Sequence, residues 1–151
     1  MKKAKDIMTR EVFTVPPQMP LDELARRFSE QRVSGFPVLG AEGSLLGVVT
    51  ETDLIHQNER LHIPTTFALF DSVFILGTSK GLEEEVRRVA ATTVQEIMTR
   101  EPVTVQPEAT VSEVATLMSE RGVHTIPVVD QDGRLVGVIG KLDVIRAMAA
   151  P

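Results

Sequence analysis

The residues of this sequence best suited to chemistry are two aspartates that close the same short motif. Thr50 and Asp53 stand three residues apart directly after an apolar run, and Gly140 and Asp143 repeat that spacing 90 residues later. A carboxylate has two acceptor oxygens, so it can bind both hydroxyls of a vicinal diol, and the Thr50 hydroxyl adds a further group. If a helix begins after Thr50, its first N–H groups are also available to an anion such as a phosphate.

The same motif has an interpretation that needs no ligand. In a helix capping box, a threonine caps the helix and an acid three residues later bonds back to the cap. The spacing of Thr50 and Asp53 alone favours this cap over a ligand site. Both roles can coexist in one motif.

The three histidines are the other candidate groups. His124 stands just before an apolar run, where a ligand contact and an exposed position at a helix–strand junction are equally good interpretations. His56 and His62 lie six residues apart with no carboxylate or cysteine at metal-ligand spacing, so we expect surface histidines and no metal site. The absence of cysteine excludes disulfides, thiol catalysis and thiolate metal sites.

Motifs typical of catalysis are absent from the sequence. It contains no Gly-x-x-x-x-Gly-Lys-Ser/Thr phosphate loop, no Gly-x-Ser-x-Gly nucleophile elbow and no His-Glu-x-x-His pair. Asp53 and Asp143 occupy equivalent positions, so we expect them to do the same job, whereas the two members of a catalytic acid–base pair take different roles. The sequence therefore predicts a protein that is not an enzyme.

Length and composition fit an ordinary folded protein. The chain has 151 residues, a net charge of -5, 42% hydrophobic residues and 25% charged residues, which allows one compact domain or two very small ones. The mild acidity and the lack of a Lys/Arg stripe argue against a nucleic-acid partner. The most apolar stretch, Phe67–Leu76, is too short to cross a bilayer, and no signal peptide follows the N-terminal lysines, so we expect a soluble, cytoplasmic protein with no membrane partner.

An internal repeat organises the chain. Ile7–Glu11 matches Ile97–Glu101 residue for residue, and the match continues at the same offset as far as Asp53 and Asp143. In each copy, an apolar pattern with helical spacing is followed by two short apolar runs joined by a polar turn, and then by a second helix. The unit is thus β-α-β-β-α, with a short leading strand at 12–15 or 102–105.

One such unit has too little core to fold alone, because its sheet would keep one apolar face open. We therefore expect an α+β fold in which two repeats, 1–58 and 94–151, pack sheet to sheet about a pseudo-two-fold axis. Between them, 59–93 is an insertion too apolar for a flexible linker, and we expect it to be ordered. Within it, Leu82–Ala90 has the pattern of an amphipathic helix.

These spaced motifs resemble the CBS domain, the cystathionine β-synthase type regulatory repeat. The resemblance is carried by Asp6–Thr9, Val33–Leu39 and Leu46–Leu54 in the first copy, and it recurs over 96–145. It implies that the repeats pair as a Bateman module, which is regulatory and non-catalytic. Such modules bind AMP, ADP, ATP or S-adenosylmethionine in clefts between the repeats and need no other cofactor, and many of them form flat homodimers.

The resemblance also implies which residues contact the ligand. Gly-x-x-Thr/Ser-x-x-Asp after the last strand is the ribose motif of such repeats, which favours a ligand role for Thr50 and Asp53 beside the cap. Each site would take its base-side wall from the other repeat. For the Asp53 site, that wall is Thr99, Thr104, Val123, His124, Thr125, Ile126 and Pro127. The Asp143 site would use Lys141, Thr9, Thr14, Val33, Ser34 and Phe36.

The two sites are predicted to be unequal. Gly140 lacks the hydroxyl that Thr50 supplies, while Lys141 adds a cation, so the Asp53 site should be the better ribose site. The resulting hypothesis is an adenosyl-ligand sensor that changes the geometry of its dimer or of a surface for an unknown regulated protein. The alternative is a structural or dimerisation module with vestigial clefts, which Gly140 and the bulky Phe36 favour.

Overall fold

The structure, a computed structural model, describes the backbone of residues 1–61 and 92–149 and all their side chains except those of 58–61. The first repeat contains, in order, α1 (Ala4–Ile7), α2 (Leu21–Glu30), β1 (Gly35–Leu39), β2 (Leu45–Thr50) and α3 (Glu51–Leu61). The second contains α4 (Val94–Ile97), β3 (Thr99–Arg100), α5 (Val111–Arg121), β4 (Thr125–Val129), β5 (Leu135–Gly140) and α6 (Lys141–Ala149). The α+β fold with two repeats of the predicted element order is confirmed. Most of the 59–93 insertion, including His62 and the helix predicted at Leu82–Ala90, lies outside the described residues.

The first long helix of each repeat begins directly after Pro20 or Thr110, residue types that suit a helix start. At α5, the Glu113 N–H donates to Thr110 Oγ1 at 3.1 Å, and the Glu113 carboxylate accepts from the Thr110 N–H at 3.2 Å, which is a complete capping box. Gly122 ends this helix at a φ of 64°, a left-handed conformation that glycine adopts without penalty. In α2, Leu21 and Leu24 are fully buried on one face, as the helical spacing predicts.

Each repeat has one antiparallel hairpin, β1–β2 and β4–β5. The hairpins are equivalent, since Phe36 pairs with Val49 and Ile126 pairs with Ile139. The turns contain Gly43 and Gly133, both at a positive φ near 80°. The two strands of each hairpin are therefore joined by a turn that requires glycine. This turn is the polar turn expected from the sequence.

The leading strands are shorter than predicted. Of 12–15 and 102–105, only Val15 and Val105 form a bridge, each parallel to the first strand of its own hairpin. Val15 and Val105 each donate and accept one backbone hydrogen bond there, whereas 12–14 and 102–104 form no backbone hydrogen bond with the described residues. The strand is thus reduced to a single residue pair.

The N-terminal arms of the two repeats are exchanged. The first arm, Lys3–Thr9, runs along the second repeat: Ala4 donates its N–H to the Ala109 carbonyl at 2.7 Å, and Thr9 bridges to Val138. The second arm, 93–100, runs along the first repeat in the same way, and its end forms β3 against β2. Each repeat is therefore completed by a segment that precedes the other repeat in the chain.

Two hydrophobic cores follow from this exchange. Val94 of the second arm is fully buried among the core residues of the first repeat, and Ala4 of the first arm is fully buried in the core of the second. Between the cores, β1 lies against β4, and the Ser34 and Thr125 hydroxyls share a hydrogen bond of 2.8 Å. We call this contact region of β1 and β4 the seam.

Candidate functional site

The Thr50–Asp53 motif forms the capping box that its spacing indicates. The Thr50 N–H donates to Asp53 Oδ2 at 2.9 Å, and the Asp53 N–H donates to Thr50 Oγ1 at 3.2 Å. These two bonds cap α3, which begins at the next residue, Glu51. The motif therefore acts as a helix cap, as its spacing alone indicates.

The cap leaves part of each side chain free. Both residues are half-buried. Within the described part of the chain, Asp53 Oδ1 has no hydrogen-bond partner. The Thr50 hydroxyl accepts one hydrogen bond there and donates none. The motif can therefore cap the helix and still offer one carboxylate oxygen and one O–H to a ligand.

The Asp143 motif makes only half of the same box. Asp143 Oδ2 accepts the Gly140 N–H at 2.8 Å, but Gly140 has no side chain to accept a bond in return. A Cβ at Gly140 would meet nothing closer than Asp143 Oδ2 at 3.7 Å, so the missing hydroxyl leaves open space. Lys141 is exposed directly after it. The two motifs differ chemically, as the sequence indicates, and the difference in ligand binding stays a prediction.

Backbone contacts group the remaining candidates by their own repeat. The Ser34 carbonyl accepts the Glu51 N–H at 3.1 Å, which places Ser34 beside the Asp53 motif. The His124 carbonyl accepts the Lys141 N–H at 3.1 Å, which places His124, an exposed residue, beside the Asp143 motif. This differs from the grouping that the resemblance implies, in which Ser34 serves Asp143 and His124 serves Asp53. The seam joins both groups through the hydroxyls of Ser34 and Thr125.

Each arm pairs one threonine with the strand that ends at an aspartate motif. Thr99 pairs with Val48, two residues before Thr50 on β2. Thr9 pairs with Val138, two residues before Gly140 on β5. Thr99 is thus paired with the strand that leads to the Asp53 motif, and Thr9 with the strand that leads to the Asp143 motif, in keeping with the cross-repeat assignment that the resemblance implies for these two residues.

Several predicted wall residues belong to the cores. Phe36 is 1% exposed and packs against Phe28 in a tilted arrangement with ring centroids 4.7 Å apart, and Ile126 has no exposed surface. Pro127 is buried too, while Val33 and Val123 are half-buried against the two cores. These side chains fill the fold, so their part in a ligand site would fall mainly to backbone groups. Their apolar pattern predicts this burial.

A cleft of about 450 Å³ lies between the repeats, and sequence reasoning finds only one of its residues. Thr14 is the predicted site residue that lines it, whereas its equivalent Thr104 is half-buried in the second repeat. The full lining is Arg10, Val12, Thr14, Leu39, Glu42, Gly43, Arg134, Leu135 and Val136. The only sign of this cleft in the sequence is the arginine that follows Met-Thr in both copies. Nothing local to that arginine predicts that it lies near a turn of the other repeat.

Two further properties of the described residues bear on the class of site. No group of three or more His, Cys, Asp or Glu side chains within 1–61 and 92–149 is placed to hold a metal ion. Over the same ranges, no helix is both long enough and apolar enough to span a bilayer.

Comparison with known proteins gives a consistent result. The family model for the CBS domain matches residues 4–59 and 94–150. The uncharacterized protein MJ1426 of Methanocaldococcus jannaschii is 31% identical over 95% of this chain and 89% of its own length. The chloroplastic CBS domain-containing protein CBSX2 of Arabidopsis thaliana is 28% identical over 94% of this chain, which spans 61% of that protein.

Solved structures have the same fold. A crystal structure of CBSX2 in complex with AMP superposes with a TM-score of 0.74 at 24% identity, covering 99% of this chain and 97% of that one. The CBS domain pair of protein MJ0100, in complex with 5-methylthioadenosine and S-adenosyl-L-methionine, superposes with a TM-score of 0.72 at 23% identity, covering 99% and 97%. At these identities, the structural likeness shows the fold.

Proposed function

Because this chain belongs to the CBS domain family and pairs two of its repeats as a Bateman module, we propose that it is a non-catalytic sensor of an adenosyl ligand. The candidates are AMP, ADP, ATP and S-adenosylmethionine. The observation that carries the proposal is the free Oδ1 of Asp53 beside the Thr50 hydroxyl, at the end of the strand with which Thr99 of the second arm pairs.

The chemistry of a ribose suits this arrangement. A ribose presents two adjacent hydroxyls, of which one can donate to Asp53 Oδ1 while the other accepts from the Thr50 hydroxyl. The CBSX2 complex with AMP supports the same ligand class, because CBSX2 shares both repeats with this chain. No cofactor beyond this regulatory ligand is part of the proposal.

The exchanged arms offer a way to report binding. A ligand at Asp53 would contact α3 of the first repeat and the arm that leads into the second, so its binding would depend on how the two repeats are arranged. A ligand shifts such an equilibrium only by its difference in affinity for the two arrangements. We therefore propose that the readout is a change in the relation of the repeats, sensed by a protein partner. A cytoplasmic location stays a prediction.

Isothermal titration of the full chain with AMP, ADP, ATP and S-adenosylmethionine tests the proposal. Asp53→Asn is the informative variant, because the amide oxygen can keep the cap while the charge is lost, and Asp143→Asn is its matched control in the other repeat. We expect saturable binding of at least one ligand, weakened by roughly tenfold in D53N and less in D143N. Heat from none of the four ligands, or equal binding to wild type and D53N, would refute it.

A second candidate function, homodimerisation as an interaction module, is favoured by one observation. On α6, Leu142, Ile145 and Met148 are 54%, 55% and 71% exposed and lie on one helix face, and Ile55 of α3 is 61% exposed. Exposed apolar side chains grouped on one face of a helix, as on α6, are typical of an interface. Sedimentation of wild type and Ile145→Glu tests it, with a dimer converted to a monomer as the expected result and a wild-type monomer as the contrary one.

A further inference from the structure

The cleft of about 450 Å³ is separate from both aspartate motifs. It lies along the first half of β5, lined by Leu135 and Val136, whereas Asp143 follows the far end of that strand. Neither Asp53 nor Asp143 lines it. Its volume falls in the range typical of small-molecule sites.

Two arginines from different repeats line this cleft. Arg10 follows Thr9, whose N–H and C=O both bond to Val138, so the backbone that carries Arg10 is fixed to the second repeat. Arg134 is held in a polar turn, where its N–H donates to Asp130 Oδ1 at 2.9 Å. Both side chains are exposed. The fold therefore fixes the backbone positions of both arginines and leaves their guanidinium groups accessible.

The positive charge of these arginines is not neutralised by ion pairing. Among the described residues, neither arginine forms an ion pair, and the only bond from either guanidinium is a 3.5 Å contact from Arg10 to the Lys5 carbonyl. Glu42, the one acid in the lining, is not ion-paired with them either. Two cations and one anion leave the lining with an excess positive charge.

The rest of the lining is largely aliphatic. Val12 and Leu39 come from the first repeat, and Leu135 and Val136 come from β5 of the second. A lining that combines aliphatic side chains with exposed guanidinium groups suits a ligand with an apolar body and an anionic end, because each part meets a complementary surface.

The internal repeat shows that this combination is specific to one side of the molecule. At the offset of 90 residues, Arg10 corresponds to Arg100, but Arg134 corresponds to Ser44. Val12 corresponds to Pro102. The equivalent position on the other side thus has one arginine instead of two, so the pair is not a by-product of the duplication.

We propose that this cleft binds a small organic anion, with its phosphate or carboxylate between Arg10 and Arg134 and its apolar part against Val12, Leu39, Leu135 and Val136. The site is independent of the adenosyl site proposed at Asp53. Because its residues come from both repeats, an anion bound there would also link the first arm and β1 to β5.

Amide NMR of the full ¹⁵N-labelled chain tests this with simple probes. Phenyl phosphate and phenylacetate carry the two candidate anions on one apolar body, and comparing them identifies the preferred headgroup. Benzyl alcohol lacks the charge, and inorganic phosphate lacks the body. We expect saturable shifts at 10–14 and 134–136 with at least one aryl anion, and weaker binding of both controls.

Three variants make the test specific. Arg10→Ala and Arg134→Ser, the latter taking the residue of the equivalent position, should each weaken the aryl anion roughly tenfold, because each removes charged hydrogen bonds. Arg100→Ala is the matched control and should bind as wild type does, as should Asp53→Asn. No saturable shifts at the cleft, wild-type affinity in R10A and R134S, an equal loss in R100A, or equal binding of benzyl alcohol would each overturn the proposal.

Discussion

Gly47 lies directly against the backbone carbonyl of Thr99, with no space between them for a Cβ. This close approach is a consequence of the exchanged arms, because β3 of the second arm pairs with β2 at this residue. The equivalent Gly137 is crowded by a different kind of atom, the Met8 side chain, whose Sδ would lie 2.5 Å from an added Cβ. One glycine therefore faces rigid backbone, and the other faces a side chain that can rotate.

The two glycines give a matched pair of variants. Gly47→Ala should lower the free energy of unfolding by about 2–3 kcal/mol, since a backbone segment must move, and Gly137→Ala by about 1 kcal/mol, since Met8 can adjust. Urea unfolding of both variants and wild type measures the difference. Equal losses, or a larger loss for G137A, would show that the arms do not cross the strands as described.

An exposed ion-pair cluster ties the first arm to the second repeat. Lys3 and Lys5 contact Glu108 at 2.5 and 2.7 Å, and their hydrogen bonds lower the pKa of the Glu108 carboxyl from 4.5 to about 2. A carboxyl with a lowered folded-state pKa stabilises the fold above its unfolded value and loses that contribution as the pH falls towards the folded value. The contribution of Glu108 should therefore be complete above about pH 4.5 and disappear between there and pH 2.

Glu108→Gln tests this pH dependence. The difference in urea midpoint between wild type and E108Q should be small, because the cluster is exposed to solvent. It should be constant from pH 7 to 5 and should shrink as the pH falls below 4.5. Glu30→Gln, on an acid without an ion pair among the described residues, serves as the control. A difference that does not change with pH would mean that the cluster does not form in solution.

The seam hydrogen bond between Ser34 and Thr125 connects the two repeats beside both aspartate motifs. Thr125 is 7% exposed, so removing the Ser34 hydroxyl would leave a buried O–H without this partner. Ser34→Ala and Thr125→Ala combined in a double-mutant cycle should give a coupling energy of about 0.5–1.5 kcal/mol. A coupling energy within error of zero would show that this bond does not couple the two repeats energetically.

The incomplete box at Asp143 predicts a variant that gains function. Gly140→Thr should supply the missing acceptor for the Asp143 N–H, and the space around Gly140 allows it. We expect about 0.5 kcal/mol of added stability and a stronger adenosyl site in the second repeat. Calorimetry of G140T should show tighter binding or a second binding event, whereas unchanged binding would mean that the hydroxyl does not distinguish the sites.

Patterns local to one repeat predicted the fold well. The Thr110–Glu113 capping box, both hairpins and the helix after each aspartate motif follow from spacing and turn residues alone. By helical spacing, Ala25 belongs to the apolar stripe of α2, yet it is exposed, because a small residue at the edge of a stripe need not face the core. The leading strands were overestimated, because a local apolar pattern does not show that only Val15 and Val105 pair with a neighbouring strand.

The features that the sequence could not predict all depend on contacts between repeats. Ile7 and Met8 have an apolar pattern that suits either core, and only the folded chain shows that they pack in the second one. Arg10 and Arg134 are separated by 124 positions and share a cleft only because the first arm crosses over. Periodicity describes one element at a time and does not report which element lies opposite.

Titration of the ¹⁵N-labelled chain with AMP, followed amide by amide, tests whether the Asp53 motif binds an adenosyl ligand. We expect saturable shifts concentrated at Ser34, Thr50–Asp53 and Thr99, and their loss in Asp53→Asn with the rest of the spectrum intact. Absence of saturable shifts, or shifts confined to the cleft around Arg10 and Arg134, would contradict an adenosyl site at Asp53.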